Sequence, residues 1–232
     1  MKFLFDLDYT LLDTEAFKKA LEAAVVSTQR PSVEDFRAAY GTVAEKTGMF
    51  DAESFFAELK DAFSDDYAAA EARAAFEHVL TETERYLYPE AKELLEVLRR
   101  HKGATVDLMT FGNERWQRAK VEHSGLDQLF DEKIFTDQDK STILRDAGSG
   151  EEKVIVVNDN GEELRRMIAA VPEYTYILKK GPKPVPMELA SLPTAETMQE
   201  LAALLEKETG WELRREMREV GEKPEPPRTF HK

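Results

Sequence analysis

Residues 5–12 read FDLDYTLL, directly behind the short apolar run Met1-Lys2-Phe3-Leu4-Phe5. A run of that length and composition reads as a buried strand. Two carboxylates, Asp6 and Asp8, stand one residue apart where it ends. Aspartate there has a local explanation, because it caps helices that follow turns. It has a chemical one if the other strands of the chain carry matching groups at their ends.

Moving outward, residues 13 to about 86 read as helices at 3.6-residue spacing, with Phe17, Leu21 and Val25 on one face. Further pieces at 33–46, 52–63 and 68–86 are separated by Pro31-Ser32, Gly48 and Asp65-Asp66. From Tyr88-Pro89 the texture alternates. A helix at 89–101 precedes the strand ATVDLMT (104–110), and a helix at 114–125 precedes KIFT (133–136). A helix from Lys140 then precedes KVIVV (153–157), and a helix at 161–170 precedes YTYIL (174–178). Strands alternating with helices predict an α/β fold, a three-layer Rossmann-like parallel sheet with an all-helical insertion between its first two strands. The expected division is a core of 1–12 and 88–205, a helical domain of 13–87, and a C-terminal helix end with a disordered tail at 206–232. Asp107, inside a core strand, has no explanation at this level.

At 232 residues with 42% hydrophobic content the chain can build such a core. It has no apolar stretch long enough to span a bilayer and no secretory leader, so a cytoplasmic location is expected. Cysteine is absent, which removes disulfides and thiol nucleophiles together. A net charge of −14 argues against nucleic acid or a membrane surface as partner. The histidines His78, His101, His123 and His231 lack metal-ligand spacing, and Trp116 is expected to pack its helix on the core.

Open parallel sheets bind ligands beyond the carboxyl ends of their strands. Those ends carry Asp6-Leu7-Asp8-Tyr9-Thr10, then Thr110-Phe111-Gly112-Asn113, then Lys140, then Asn158-Asp159-Asn160-Gly161-Glu162-Glu163. Alone, Thr110 is a strand-end hydroxyl, Lys140 a surface lysine and the last segment a turn. Together they can hold a divalent cation and a phosphate.

This ordered set resembles the haloacid dehalogenase superfamily, whose members are mostly magnesium-dependent phosphatases. The resemblance spans about residues 1–180 and makes the helical insertion the family's cap. It implies Mg2+ held by Asp6, Asp8 through its backbone carbonyl, and Asp159, with Glu163 as the second acid of the last motif and Glu162 its competitor. Asp6 would attack phosphorus to form an aspartyl phosphate, and Asp8 would shuttle the proton. Thr110, the turn at Phe111 and Gly112, and Lys140 would bind the phosphoryl group, with Lys133 a weaker candidate for the lysine. The substrate expected is a small phosphorylated metabolite. Tyr9 stands where many members have glycine, and Asn158 where a small residue is usual. A dehalogenase, a phosphomutase or a catalytically silent binding protein is the alternative, and oligomeric state is not readable.

Overall fold

The computed structural model describes residues 1–27, 31–63, 65–147 and 152–222. Six strands form one parallel sheet: β1 (Lys2–Phe5), β2 (Thr105–Phe111), β3 (Lys133–Thr136), β4 (Val154–Asn158), β5 (Thr175–Lys179) and β6 (Thr194–Ala195). Their order is β3-β2-β1-β4-β5-β6, so the chain starts in the middle and reverses direction across β1. Phe3 pairs with Val106 on one side and Ile155 on the other. The carboxyl ends of β1, β2 and β4 therefore lie side by side at the switch point, where parallel sheets leave a crevice.

Strand periodicity of two builds the layers. Phe3, Phe5, Val106, Leu108, Ile155 and Val157 turn to one face. They pack there against α5 (Ala91–Arg100), α6 (Glu114–His123) and α9 (Met198–Thr209). Leu4, Met109, Val156 and Leu178 turn to the other face, against Leu144 of α7 (Lys140–Ala147) and Leu164 and Met167 of α8 (Gly161–Ala170). Asp107 gains its explanation here. Its side chain is buried, but one oxygen pairs with Lys2 Nζ at 2.8 Å and the other accepts the Glu132 amide at 3.1 Å. Lys2, its register neighbour's predecessor in β1, covers the charge that would otherwise be stranded in the sheet.

Between β1 and β2 stand α1 (Thr14–Val26), α2 (Val33–Thr47), α3 (Ala52–Glu58) and α4 (Asp66–Thr81), with short 3-10 turns at Lys60–Ala62 and Thr83–Tyr86. Asp13 caps α1 and Ser32 forms a reciprocal capping box with Asp35, which fixes both helix starts. Phe36, Phe50, Phe55, Phe56 and Phe76 pack together inside this insertion. Trp116 of α6 joins them, 4.9 Å from Phe50 and 5.5 Å from Phe76, so it ties the insertion to the sheet domain as well as seating its own helix.

Two C-terminal features differ from expectation. Strand β6 is only two residues long and has no apolar run to announce it; the Lys180 amide donates to Ala195 O at 2.8 Å. The C-terminal helical segment breaks at Gly210, a left-handed C-cap, into α9 and α10 (Leu213–Gly221). The helix end expected after residue 206 packs on the core. Trp211 packs 5.7 Å from Phe3 and stacks on His101 at 3.9 Å, while Leu213 and Met217 are buried. The expected disordered tail at 223–232 lies outside the described residues. Among the described residues no helix is long and apolar enough to cross a membrane.

Candidate active site

Asp6, the residue after β1, is 7% exposed and donates its amide to Val157 O at 3.0 Å. Its Oδ1 accepts from Lys140 Nζ at 2.7 Å. Lys140 opens α7, is itself buried, and reaches Glu163 Oε2 at 2.9 Å as well. Burial pushes the Asp6 carboxyl above its ordinary range despite the lysine, and Glu163 and Asp8 add to that. Burial works against the Lys140 charge, but Asp6 and Glu163 outweigh it and hold the ammonium form.

Asp8 sits in a different environment two residues later. Lys120 Nζ lies 2.6 Å from both of its carboxylate oxygens, Gln117 Nε2 donates at 2.9 Å, and Thr14 Oγ1 donates at 2.8 Å. Burial would raise this carboxyl, yet the Lys120 charge and these three donors bring it down to about 2. Neither Lys120 nor Gln117 was anticipated from sequence. The available signal was their i, i+3 spacing, which puts both on the inward face of α6, where both are buried.

Asp159 follows β4 and is 4% exposed. Its Oδ2 is buried without a hydrogen-bond partner, and burial together with the Asp6 charge pushes its carboxyl up to about 8. Gly181 is pressed against it, since a Cβ there would meet Oδ2 at 2.7 Å. Thr110 Oγ1, at the end of β2, is likewise buried and unpartnered.

Two expectations, Glu163 as a metal ligand and Gly112 as a phosphoryl donor, need correcting, and the weaker candidates Glu162 and Lys133 fall away. Glu163 has both oxygens engaged, Oε2 by Lys140 and Asn158 and Oε1 by Asn160, so it holds the lysine rather than standing free as a metal ligand. Glu162 is exposed and pairs with Arg165, because adjacent helix positions point about 100° apart. Gly112 donates its amide to Thr136 O at 2.8 Å, so that amide is not available to a phosphoryl group. Lys133 binds Asp127 at 2.8 Å, away from the site. Gly112 has another use. Its φ is +144°, and a Cβ there would meet Gln117 Nε2 at 2.7 Å, so only glycine lets Gln117 close on Asp8. Phe111 is partly exposed on the rim, where its carbonyl accepts from Gln117 at 2.8 Å. Tyr9 has φ +57°, which explains why glycine suits this position and why a tyrosine here carries about 1–2 kcal/mol of backbone strain. Asn158 is consumed structurally, bonding Glu163 and the Asn160 amide.

These groups line one cavity of about 380 Å3 between the strand ends and the helical insertion. Its walls on the insertion side include Phe17, Lys18, Leu21, Tyr40 and Phe50. Among the described residues no three His, Cys, Asp or Glu side chains form a metal cluster. A hard cation that keeps several waters needs fewer, and the orphaned Asp159 Oδ2 beside Asp6 is a donor pair of the required kind.

Comparison with known proteins agrees with this layout. YfnB of Bacillus subtilis, a HAD-hydrolase candidate solved bound to magnesium, aligns at 19% identity and TM-score 0.60, over 88% of this chain and 97% of that one. A candidate β-phosphoglucomutase from Thermotoga maritima aligns at 18% identity and TM-score 0.60, over 88% and 98%. 2-Haloacid dehalogenase from Pseudomonas syringae pv. Tomato aligns at 20% identity and TM-score 0.60, over 90% and 99%. At such identities these likenesses speak for the fold. No curated protein matches the sequence. The model of the haloacid dehalogenase-like hydrolases matches residues 3–176, three quarters of the chain and the ends of β1, β2, β3 and β4, and the protein belongs to that family.

Proposed function

We propose that the chain is a phosphatase that hydrolyses a small phosphomonoester through an aspartyl phosphate on Asp6, with the helical insertion serving as its cap. The observation that carries this reading is the convergence of Asp6, Asp8, Thr110, Lys140 and Asp159 on one cavity at the strand ends. Lys140 engages one oxygen of Asp6 and Lys120 both oxygens of Asp8, while the Thr110 hydroxyl and Asp159 Oδ2 are buried without a partner.

Magnesium bound by Asp6, Asp159 and the backbone carbonyl of Asp8 would offset the repulsion between a carboxylate nucleophile and a phosphate dianion. Lys140 orients the Asp6 carboxylate through Oδ1, leaving the other oxygen to attack. The unpartnered Thr110 hydroxyl donates to a phosphoryl oxygen. In the first step Asp6 bonds to phosphorus and the ester P–O bond breaks. The departing oxygen takes one proton from the carboxyl of Asp8, which Lys120, Gln117 and Thr14 hold in place. In the second step water attacks phosphorus, its proton returns to Asp8, and the Asp6 carboxylate is released. Proton transfer of this kind contributes about 10²–10⁴-fold.

A halide leaves without a proton, so a carbon–halogen hydrolase would have no use for the Asp8–Lys120–Gln117 assembly. A panel of small phosphoesters, assayed for phosphate release with magnesium and with chelator, tests the proposal. Magnesium-dependent release that Asp6→Asn abolishes supports it. A folded, magnesium-binding protein that releases phosphate from none of them argues for a phosphomutase or a silent binding protein.

A further inference from the structure

The cavity has four lysines on its wall, and three have visible employment or lie at the rim. Lys140 serves Asp6 and Glu163, Lys120 serves Asp8, and Lys183 is exposed. Lys18 is different. It projects from α1 with its ammonium over the ring of Tyr40 at 5.0 Å and that of Tyr9 at 5.7 Å. No ion pair or hydrogen bond engages it among the described residues. Of the two acids whose charge acts on it, Asp8 acts more strongly than Glu15, and the Asp8 oxygens are already taken by Lys120, Gln117 and Thr14. Burial accordingly lowers the Lys18 pKa. The two rings compensate such a cation only in part, so its charge is free to engage an anionic group.

The surroundings narrow that anion. Residues 13–88 carry 16 acids against 8 Lys and Arg, but none of those acids faces the cavity. Lys18 is the one charged side chain that the insertion contributes to the described lining, set among Phe17, Leu21, Met49 and Phe50. The phosphoryl end of a substrate belongs at the strand ends, with Asp6, Thr110 and Lys140. Lys18 stands on the opposite wall, where the leaving group would lie. One ammonium on an aromatic and apolar wall matches one negative charge on a short organic group.

From this, and resting on the phosphatase reading above, we infer that Lys18 is a specificity-determining residue that binds a carboxylate on the leaving group, so the preferred substrates are phosphorylated hydroxy acids.

Equilibrium binding to the Asp6→Asn protein in Mg2+ tests this without turnover, using 2-phosphoglycolate and the uncharged-tail analogue ethyl phosphate as probes. Phosphoglycolate should bind about tenfold to a hundredfold more tightly, as a charge-assisted contact warrants. Adding Lys18→Met should remove most of that ratio. Lys18→Arg should keep most of it, and so should Lys19→Met, which alters an exposed neighbour paired with Glu15. Equal affinity for the two probes, or equal weakening of both by Lys18→Met, overturns the inference and leaves the phosphatase reading intact. Failure of both probes to bind overturns both. The expected ratio in a protein whose wild type hydrolyses neither probe would sustain the role of Lys18 and remove the phosphatase reading alone.

Discussion

Lys120 Nζ lies 2.6 Å from each carboxylate oxygen of Asp8, in a helix that reaches the first loop of the chain from 112 residues away. The contact holds in place the carboxyl to which the proposed mechanism assigns proton transfer. It also predicts a pH dependence of stability. The folded pKa of Asp8, about 2, lies below its ordinary 3.8, so the pair's stabilisation is complete above about pH 4 and is lost as pH falls through 2. Lys120→Met should cost about 1–3 kcal/mol at neutral pH, since it leaves the half-buried Asp8 carboxylate without its cation. The gap to wild type should close in acid. Urea unfolding across pH measures this, and parallel curves with a constant gap would tell against the pairing.

Asp159 has the opposite sign. Its folded pKa of about 8 lies above 3.8, so the metal-free fold loses stability as pH rises between those values. A cation binds the ionised form, so magnesium must displace a proton below about pH 8. Calorimetry in buffers of different ionisation enthalpy should show proton release, with affinity rising from about pH 6 to pH 8. Asp159→Asn should abolish that pH dependence. An affinity flat over this range in the wild type would place the cation elsewhere.

Gly112→Ala combines two penalties. The positive φ disfavours any side chain, at about 1–3 kcal/mol, and the new Cβ collides with Gln117. Turnover should fall as well, because Gln117 can no longer close on Asp8. In a Gln117→Ala background the collision is gone and only the backbone penalty remains, so the cost of Gly112→Ala should shrink. Strict additivity in this double-mutant cycle would mean the two residues do not interact.

The readable part of this molecule is the part written in local pattern. Strand alternation fixed the sheet and put Asp6, Thr110, Lys140 and Asp159 at neighbouring strand ends, because chemistry in a parallel sheet gathers there. What stayed hidden depends on side-chain direction and on distant partners. Lys120 looks like any surface lysine until α6 is docked with that face inward. Glu162 and Glu163 differ only by rotation about a helix axis. The Gly112 amide was assigned to a ligand because the parallel ladder extends one residue further than the apolar run suggests. At Tyr9 the sequence shows only a departure from the family's glycine, whereas the backbone angle is the physical reason that the position favours glycine. Strand β6 is set by pairing with β5, which no local signal carries, whereas the break at Gly210 has a local cause in the left-handed glycine cap.

The central claim is that Asp6 bonds covalently to phosphorus. It is tested most directly by rapid acid quench of the enzyme turning over its best phosphoester with magnesium, followed by peptide mass spectrometry. The account predicts a phosphoryl group on Asp6 that appears before steady state and is absent from the Asp6→Asn protein. Turnover without any label on Asp6, together with wild-type rates in Asp6→Asn, would contradict it.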